Sequence, residues 1–138
     1  MTDKYYITTP IYYVNDKPHI GHAYTSVATD FIARFMRLND YDVRFQTGTD
    51  EHGLKIQKAA ESKGKKPLEL CDENSRIFRD LTTTLDLSND DFIRTTEQRH
   101  IDGASFLWNR LHERNQIYLG EYTGWYSIND ETFYNEKD

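Results

Sequence analysis

Two imidazoles bracket a glycine in the run Pro18-His19-Ile20-Gly21-His22, and that trio suits the phosphates of a nucleotide. Each histidine can donate a hydrogen bond to a phosphate oxygen, more strongly where the phosphate keeps the ring protonated. Gly21 has no side chain, so a flat base or a ribose can approach the backbone closely. Two plainer accounts fit the same residues. Histidines three apart can ligate zinc, although no Asp, Glu or Cys pattern beside them completes a site. A helix start that carries two surface histidines is the other.

The flanking segments say where the trio must sit. Tyr5-Tyr6-Ile7-Thr8-Thr9 is β-branched and aromatic, the composition of a short buried strand. Tyr24, Val27, Ala28, Phe31, Ile32, Phe35 and Met36 recur at helical spacing and form one apolar face of a helix over about 21–38. The motif therefore falls between the carboxyl end of a strand and the amino end of a helix. Unpaired N–H groups and the positive end of the helix dipole favour anions there.

A second strand is expected at 42–48, a loop at 49–53 and a helix over 54–63 that Gly64 stops. Pro67 opens another helix that runs to about Leu85. Phe92-Ile93-Arg94-Thr95 reads as a strand, and 97–115 as a helix with Ile101, Phe106, Leu107 and Leu111 inward. Alternating apolar residues around Gly120 and Gly124 suggest hairpins over 117–134. Strand–helix alternation predicts an α/β fold, a parallel sheet with crossover helices. Ligands of such sheets lie outside the carboxyl ends of the strands, where the loops 10–22 and 49–53 would build one pocket. Neither loop carries the Gly-x-Gly-x-x-Gly pattern, which argues against a dinucleotide site.

Composition narrows the class. The chain has 138 residues, about one domain's worth, with 37% hydrophobic and 29% charged residues, so it is globular rather than disordered. With 23 acids against 17 bases, the net charge of -6 tells against a free-standing nucleic-acid-binding module. One cysteine, Cys71, excludes an internal disulfide framework and a four-thiolate zinc site, and fits a reducing, cytoplasmic compartment. Apolar runs are too short to span a membrane, so no membrane partner is expected.

Thr8-Thr9-Pro10-Ile11-Tyr12-Tyr13-Val14-Asn15 leading into Pro18-His19-Ile20-Gly21-His22 resembles the amino-terminal part of class I aminoacyl-tRNA synthetases. Thr47-Gly48-Thr49-Asp50-Glu51-His52-Gly53 narrows the resemblance to the methionyl-tRNA synthetase family. Gly124-Trp125-Tyr126-Ser127-Ile128-Asn129-Asp130-Glu131 is similar to the start of that family's connective insertion. The resemblance implies a Rossmann-like half domain over 1–116 and the start of the insertion over 117–138. It implies a ligase that activates methionine with ATP to methionyl-adenylate, magnesium accompanying the ATP, and then transfers the acyl group to tRNA(Met). His19 and His22 would be the catalytic donors to the phosphates, and Gly21 would make room for the nucleotide. Asp50 would bind the substrate ammonium, Tyr13 would close over the thioether, and Ile11 would line the pocket by its backbone. Glu51 and His52 are read as orienting their loop.

On the residues alone, Asp50 equally fits a cap for the helix at Leu54, and Tyr13 a core tyrosine. Ser62-Lys63-Gly64-Lys65-Lys66 superficially matches the family's lysine-rich second signature but lacks its central Met-Ser. It is read as a solvated helix end with dipole-compensating lysines. Without that second signature, the chain is expected to be an inactive piece of a longer enzyme. The alternatives are a sister synthetase for leucine, isoleucine, valine or cysteine, and a non-catalytic nucleotide-binding paralogue. No zinc is expected in this segment.

Overall fold

Four parallel strands form the sheet in the computed structural model, which describes residues 2–135. They are β1 (Lys4–Thr8), β2 (Tyr12–Tyr13), β3 (Asp42–Asp50) and β4 (Asp91–Arg94). β3 is the axis. Lys4 to Thr8 pair with Asp42 to Gln46, and Tyr12 and Tyr13 continue along the same edge opposite Thr49 and Asp50. β4 takes the other edge, with Gln46 to Thr49 opposite Asp91 to Arg94. Gly48 is required by this pairing, because a Cβ there would lie 2.0 Å from the Ile93 carbonyl oxygen.

Helices α1 (Ile20–Leu38), α2 (Leu54–Ser62) and α3 (Pro67–Thr84) make the crossovers. Pro67 stands in the first turn of α3, where its missing N–H costs no bond. Gly64, at φ 65°, follows the end of α2 in the left-handed conformation that stops a helix. These boundaries agree with the sequence reading. The core joins Tyr12, Val14, Ile56, Cys71, Phe78 and Phe92.

Four expectations are corrected. β1 is not a buried strand: its residues alternate between exposed and half-buried, and Tyr6 on the open face is 63% exposed. The second strand runs to Asp50 rather than Gly48, so Thr49 and Asp50 belong to the sheet and not to a loop. α1 turns its apolar stripe outward, with Tyr24 76% and Phe31 71% exposed, while Ser26, Thr29, Asp30 and Ala33 are buried. Its buried side is held by directional bonds. Ser26 Oγ lies 3.0 Å from Tyr12 Oη, and Asp30 Oδ1 accepts from the Ser88 N–H and hydroxyl, both at 2.6 Å. Arg37 donates to Ser88 Oγ at 2.6 Å and Asp90 Oδ2 at 2.9 Å. The lysines after α2 are not in its last turn. Lys63 and Lys66 cap α2 and α3, and Lys65 pairs with Glu73.

The described chain divides between Ile101 and Asp102 into two compact units, the break falling inside α4 (Gln98–Glu113). No residue of α4 is buried, so the expected inward positions Ile101, Phe106, Leu107 and Leu111 are exposed among the described residues. The second unit holds one hairpin, β5 (Trp125–Ser127) against β6 (Thr132–Tyr134). Residues 117–124 form no strand.

Candidate active site

The first histidine is the cap of α1. Extended backbone at His19 (φ -126°, ψ 177°) lets its Nδ1 accept the Gly21 N–H at 3.1 Å. His22 returns the bond, its Nδ1 accepting the His19 N–H at 3.1 Å. This is a reciprocal cap made of two imidazoles in place of the usual hydroxyl and carboxamide. Each Nδ1 is committed as an acceptor, so the proton of each neutral ring sits on Nε2. Two side-chain N–H donors thus stand at a helix start whose Gly21, His22 and Ala23 N–H groups are already bonded to His19. The rings lie 3.8 Å apart between centroids.

His22 is also held from below, by Tyr12 at 4.8 Å and Phe78 of α3 at 5.1 Å between centroids. Burial, and then the neighbouring His19, lower its pKa below the ordinary 6.5. That direction favours the neutral ring, whereas the stronger, protonated form of the donor would need a phosphate to hold the proton. Gly21 has a reason nearer than any ligand. A Cβ there would stand 2.9 Å from His19 Cε1 and 3.1 Å from Nδ1, displacing the capping ring.

The second cluster sits at the same end of the sheet. The β2–β3 register sets Tyr13 beside Asp50, and the preceding pair sets Tyr12 beside Thr49. Tyr13 is 41% exposed, with Lys55 Nζ 5.8 Å from its ring centroid. Asp50 Oδ1 accepts the His52 N–H at 3.4 Å. Ile11, between β1 and β2, is 42% exposed. A two-residue strand therefore joins the two motifs, with Tyr12 turned to His22 and Tyr13 paired with Asp50. Its brevity hid it from a periodicity reading.

Beneath Asp50 lies a network that sequence reasoning only touched. Glu51 has a fully buried side chain and accepts four bonds: from Thr49 Oγ1 at 2.8 Å, Arg94 Nε at 2.8 Å, Arg94 Nη2 at 2.9 Å and Thr96 Oγ1 at 2.5 Å. Burial alone would raise this carboxyl, but the bonds from Arg94, Thr96 and Thr49 outweigh it and hold the pKa below the ordinary 4.5. Cys71, beside it, is the opposite case. Burial first, then the Glu51 charge, push its thiol up to about 11. Among the described residues, no group of three or more His, Cys, Asp or Glu could hold a metal ion. No helix among them is long and apolar enough to cross a membrane.

Residues 5–138 match the family model described as tRNA synthetases class I (M). The methionine–tRNA ligase of Rickettsia bellii (strain RML369-C) is 57% identical over the whole chain, which covers 27% of that relative. That of Mesorhizobium japonicum is 53% identical over 99% of the chain and 26% of the relative. The chain thus spans about a quarter of the length of the curated relatives it matches. Among solved structures, Mycobacterium tuberculosis methionyl-tRNA synthetase in complex with methionyl-adenylate superposes with a TM-score of 0.92 at 49% identity, covering 99% of this chain and 27% of that one. Agrobacterium radiobacter K84 LeuRS, in a ternary complex with tRNA and LeuAMS, shares the fold at a TM-score of 0.79 and 20% identity, over 94% of this chain and 17% of that one. The chain belongs to the class I (M) tRNA synthetase family and corresponds to the N-terminal part of its catalytic domain.

Proposed function

We propose that this chain supplies half of the adenylate-forming site of a methionine–tRNA ligase. The observation that carries the reading is the β2–β3 register, which sets Tyr13 beside Asp50 while the adjacent Tyr12 contacts His22. One sheet edge thereby serves both substrates. Residues 1–116 are the N-terminal half of the Rossmann-like domain, and 117–138 begin the connective insertion. ATP, methionine and tRNA(Met) are the partners of the full-length enzyme, which works in the cytoplasm.

In the first step a methionine carboxylate oxygen forms a bond to the α-phosphorus of ATP. The bond from that phosphorus to the bridging oxygen breaks, and pyrophosphate leaves with the electron pair. Asp50 holds the ammonium and the Tyr13 ring faces the thioether, as sulfur–aromatic contact favours. Ile11 lines the same pocket. His19 and His22 present Nε2–H groups to phosphate oxygens as negative charge develops, and their rings need no reorganisation because the reciprocal cap already fixes them. Gly21 keeps the capping ring in place and leaves the backbone open to the nucleotide. Magnesium would enter with the ATP phosphates, since no group of three or more His, Cys, Asp or Glu among the described residues could hold it. The 2′-hydroxyl oxygen of the terminal tRNA nucleotide then bonds to the acyl carbon, the acyl–phosphate bond breaks, AMP leaves with the electron pair and the hydroxyl proton is released.

Amino-acid-dependent pyrophosphate exchange by the full-length protein tests the reading. Exchange should depend on methionine. Exchange supported by leucine, isoleucine, valine or cysteine instead would overturn it.

A further inference from the structure

Asp50 is the last residue of β3, and the turn that follows it has no regular structure before α2, yet the carboxylate must be held still. Asp50 cannot do this alone, since its side chain is tied to the same turn through the His52 N–H. The anchorage comes from the far side of β3. The Glu51 N–H donates to Thr95 Oγ1 at 2.9 Å, and His52 Nδ1 lies 3.0 Å from the same hydroxyl. The Thr95 N–H donates to the Thr49 carbonyl at 3.2 Å. Arg94 grips both oxygens of Glu51 and reaches on to Asp72 Oδ1 of α3 at 2.6 Å. Thr96 adds the fourth bond to Glu51. Every residue from Thr49 to His52 except Asp50 is therefore tied by backbone or side chain to Arg94, Thr95 or Thr96. Asp50 pairs instead across the other edge of β3, opposite Tyr13.

We infer that Arg94 and Thr95 are positioning residues: without touching substrate, they clamp the turn from β4 and so aim Asp50 at the substrate ammonium. The inference rests on the proposed role of Asp50 as the ammonium ligand. A bidentate guanidinium fixes direction as well as distance, which an ammonium in its place would not. The single Thr95 hydroxyl fixes the backbone on one side and His52 on the other. Substituting either lets the turn drift while the sheet stays paired.

Thr95→Val, Arg94→Lys, Asp50→Asn and the double variant Asp50→Asn/Thr95→Val are compared in the full-length ligase by methionine-dependent pyrophosphate exchange. Thr95→Val and Arg94→Lys should each raise KM for methionine by about tenfold, the scale of one lost hydrogen bond to a charged group. KM for ATP and kcat should stay within about twofold, because the histidine donors stand on α1. In the Asp50→Asn background, Thr95→Val should change the methionine KM by less than about twofold, since the aim of a missing charge no longer matters. Tenfold loss persisting in that background would show that Thr95 acts elsewhere and would overturn the inference. So would unchanged methionine KM in both single variants while Asp50→Asn raises it, an outcome that leaves the ligase reading standing. Parallel loss in both KM values and kcat, with reduced folded fraction, would mark a purely structural clamp and also overturn it. If Asp50→Asn itself leaves the methionine KM unchanged, the role of Asp50 fails, and the inference with it.

Discussion

His19→Asn separates the two jobs that His19 performs at the start of α1. As the cap, its Nδ1 accepts the Gly21 N–H at 3.1 Å. An asparagine oxygen can accept the same bond, and asparagine ranks among the best residues at that position. What asparagine lacks is a proton at the reach of Nε2. A helix cap contributes about 1 kcal/mol, so His19→Ala should lose roughly that and His19→Asn almost none. For the unit Met1–Ile101, 1 kcal/mol is about 5 °C in Tm. Contact with the His22 ring, 3.8 Å away between centroids, is lost in both variants and cancels in the comparison. One missing transition-state donor costs on the order of a hundredfold in kcat, about 2.7 kcal/mol. In pyrophosphate exchange by the full-length enzyme, both variants should be slowed about a hundredfold with methionine KM nearly unchanged. Only His19→Ala should melt early. Exchange by His19→Asn within about threefold of the parent would refute the Nε2–H donor, because the cap alone would then suffice. Equal Tm losses in the two variants would refute the capping account.

Three further outcomes follow from other contacts. Asp30→Ala should destabilise the domain by about 1–3 kcal/mol in denaturant titration, because it leaves the Ser88 N–H and hydroxyl without the acceptor that Asp30 supplies. Glu51, Asp30 and Asp91 all have folded pKa values below their ordinary 4.5, 3.8 and 3.8. Their contribution to stability is complete above those ordinary values and disappears as pH falls through the lowered ones, so unfolding free energy should drop below about pH 4. In Glu51→Gln that acid slope should be shallower; an unchanged slope would count against the buried carboxylate. Cys71, 1% exposed with its pKa at about 11, should resist a thiol reagent at pH 8 until the domain opens, and rapid labelling of the native protein would contradict its burial.

Signals that act over a few residues were legible in the sequence. Gly64 and Pro67 mark their helix ends by backbone geometry alone, and the residues of β3 announce a strand without help from their partners. The α/β class and the meeting of the two motif loops at one sheet edge followed from element order. Pairings between distant residues were not legible. Arg94 reads as an ordinary strand residue until β4 sets it against Glu51, 43 positions earlier. β2 is two residues long, too short for any period, and is recognisable only by what lies opposite in β3. The outward stripe of α1 failed for another reason: periodicity finds an apolar face but does not say what covers it.

That reversed helix bears on temperature as well as geometry. Where a helix is seated by grease, its attachment draws on water release, carries a large heat-capacity change and tolerates sliding among interchangeable methyl groups. α1 is seated instead by Ser26 on Tyr12, Asp30 on Ser88, and Arg37 on Ser88 and Asp90. A seam of that kind adds little to the heat capacity of unfolding and admits few alternative registers, since a slip of one position breaks every bond at once. The two imidazoles at its amino end inherit this indexing, their Nε2 atoms being set by hydrogen bonds that run the length of the helix beneath them.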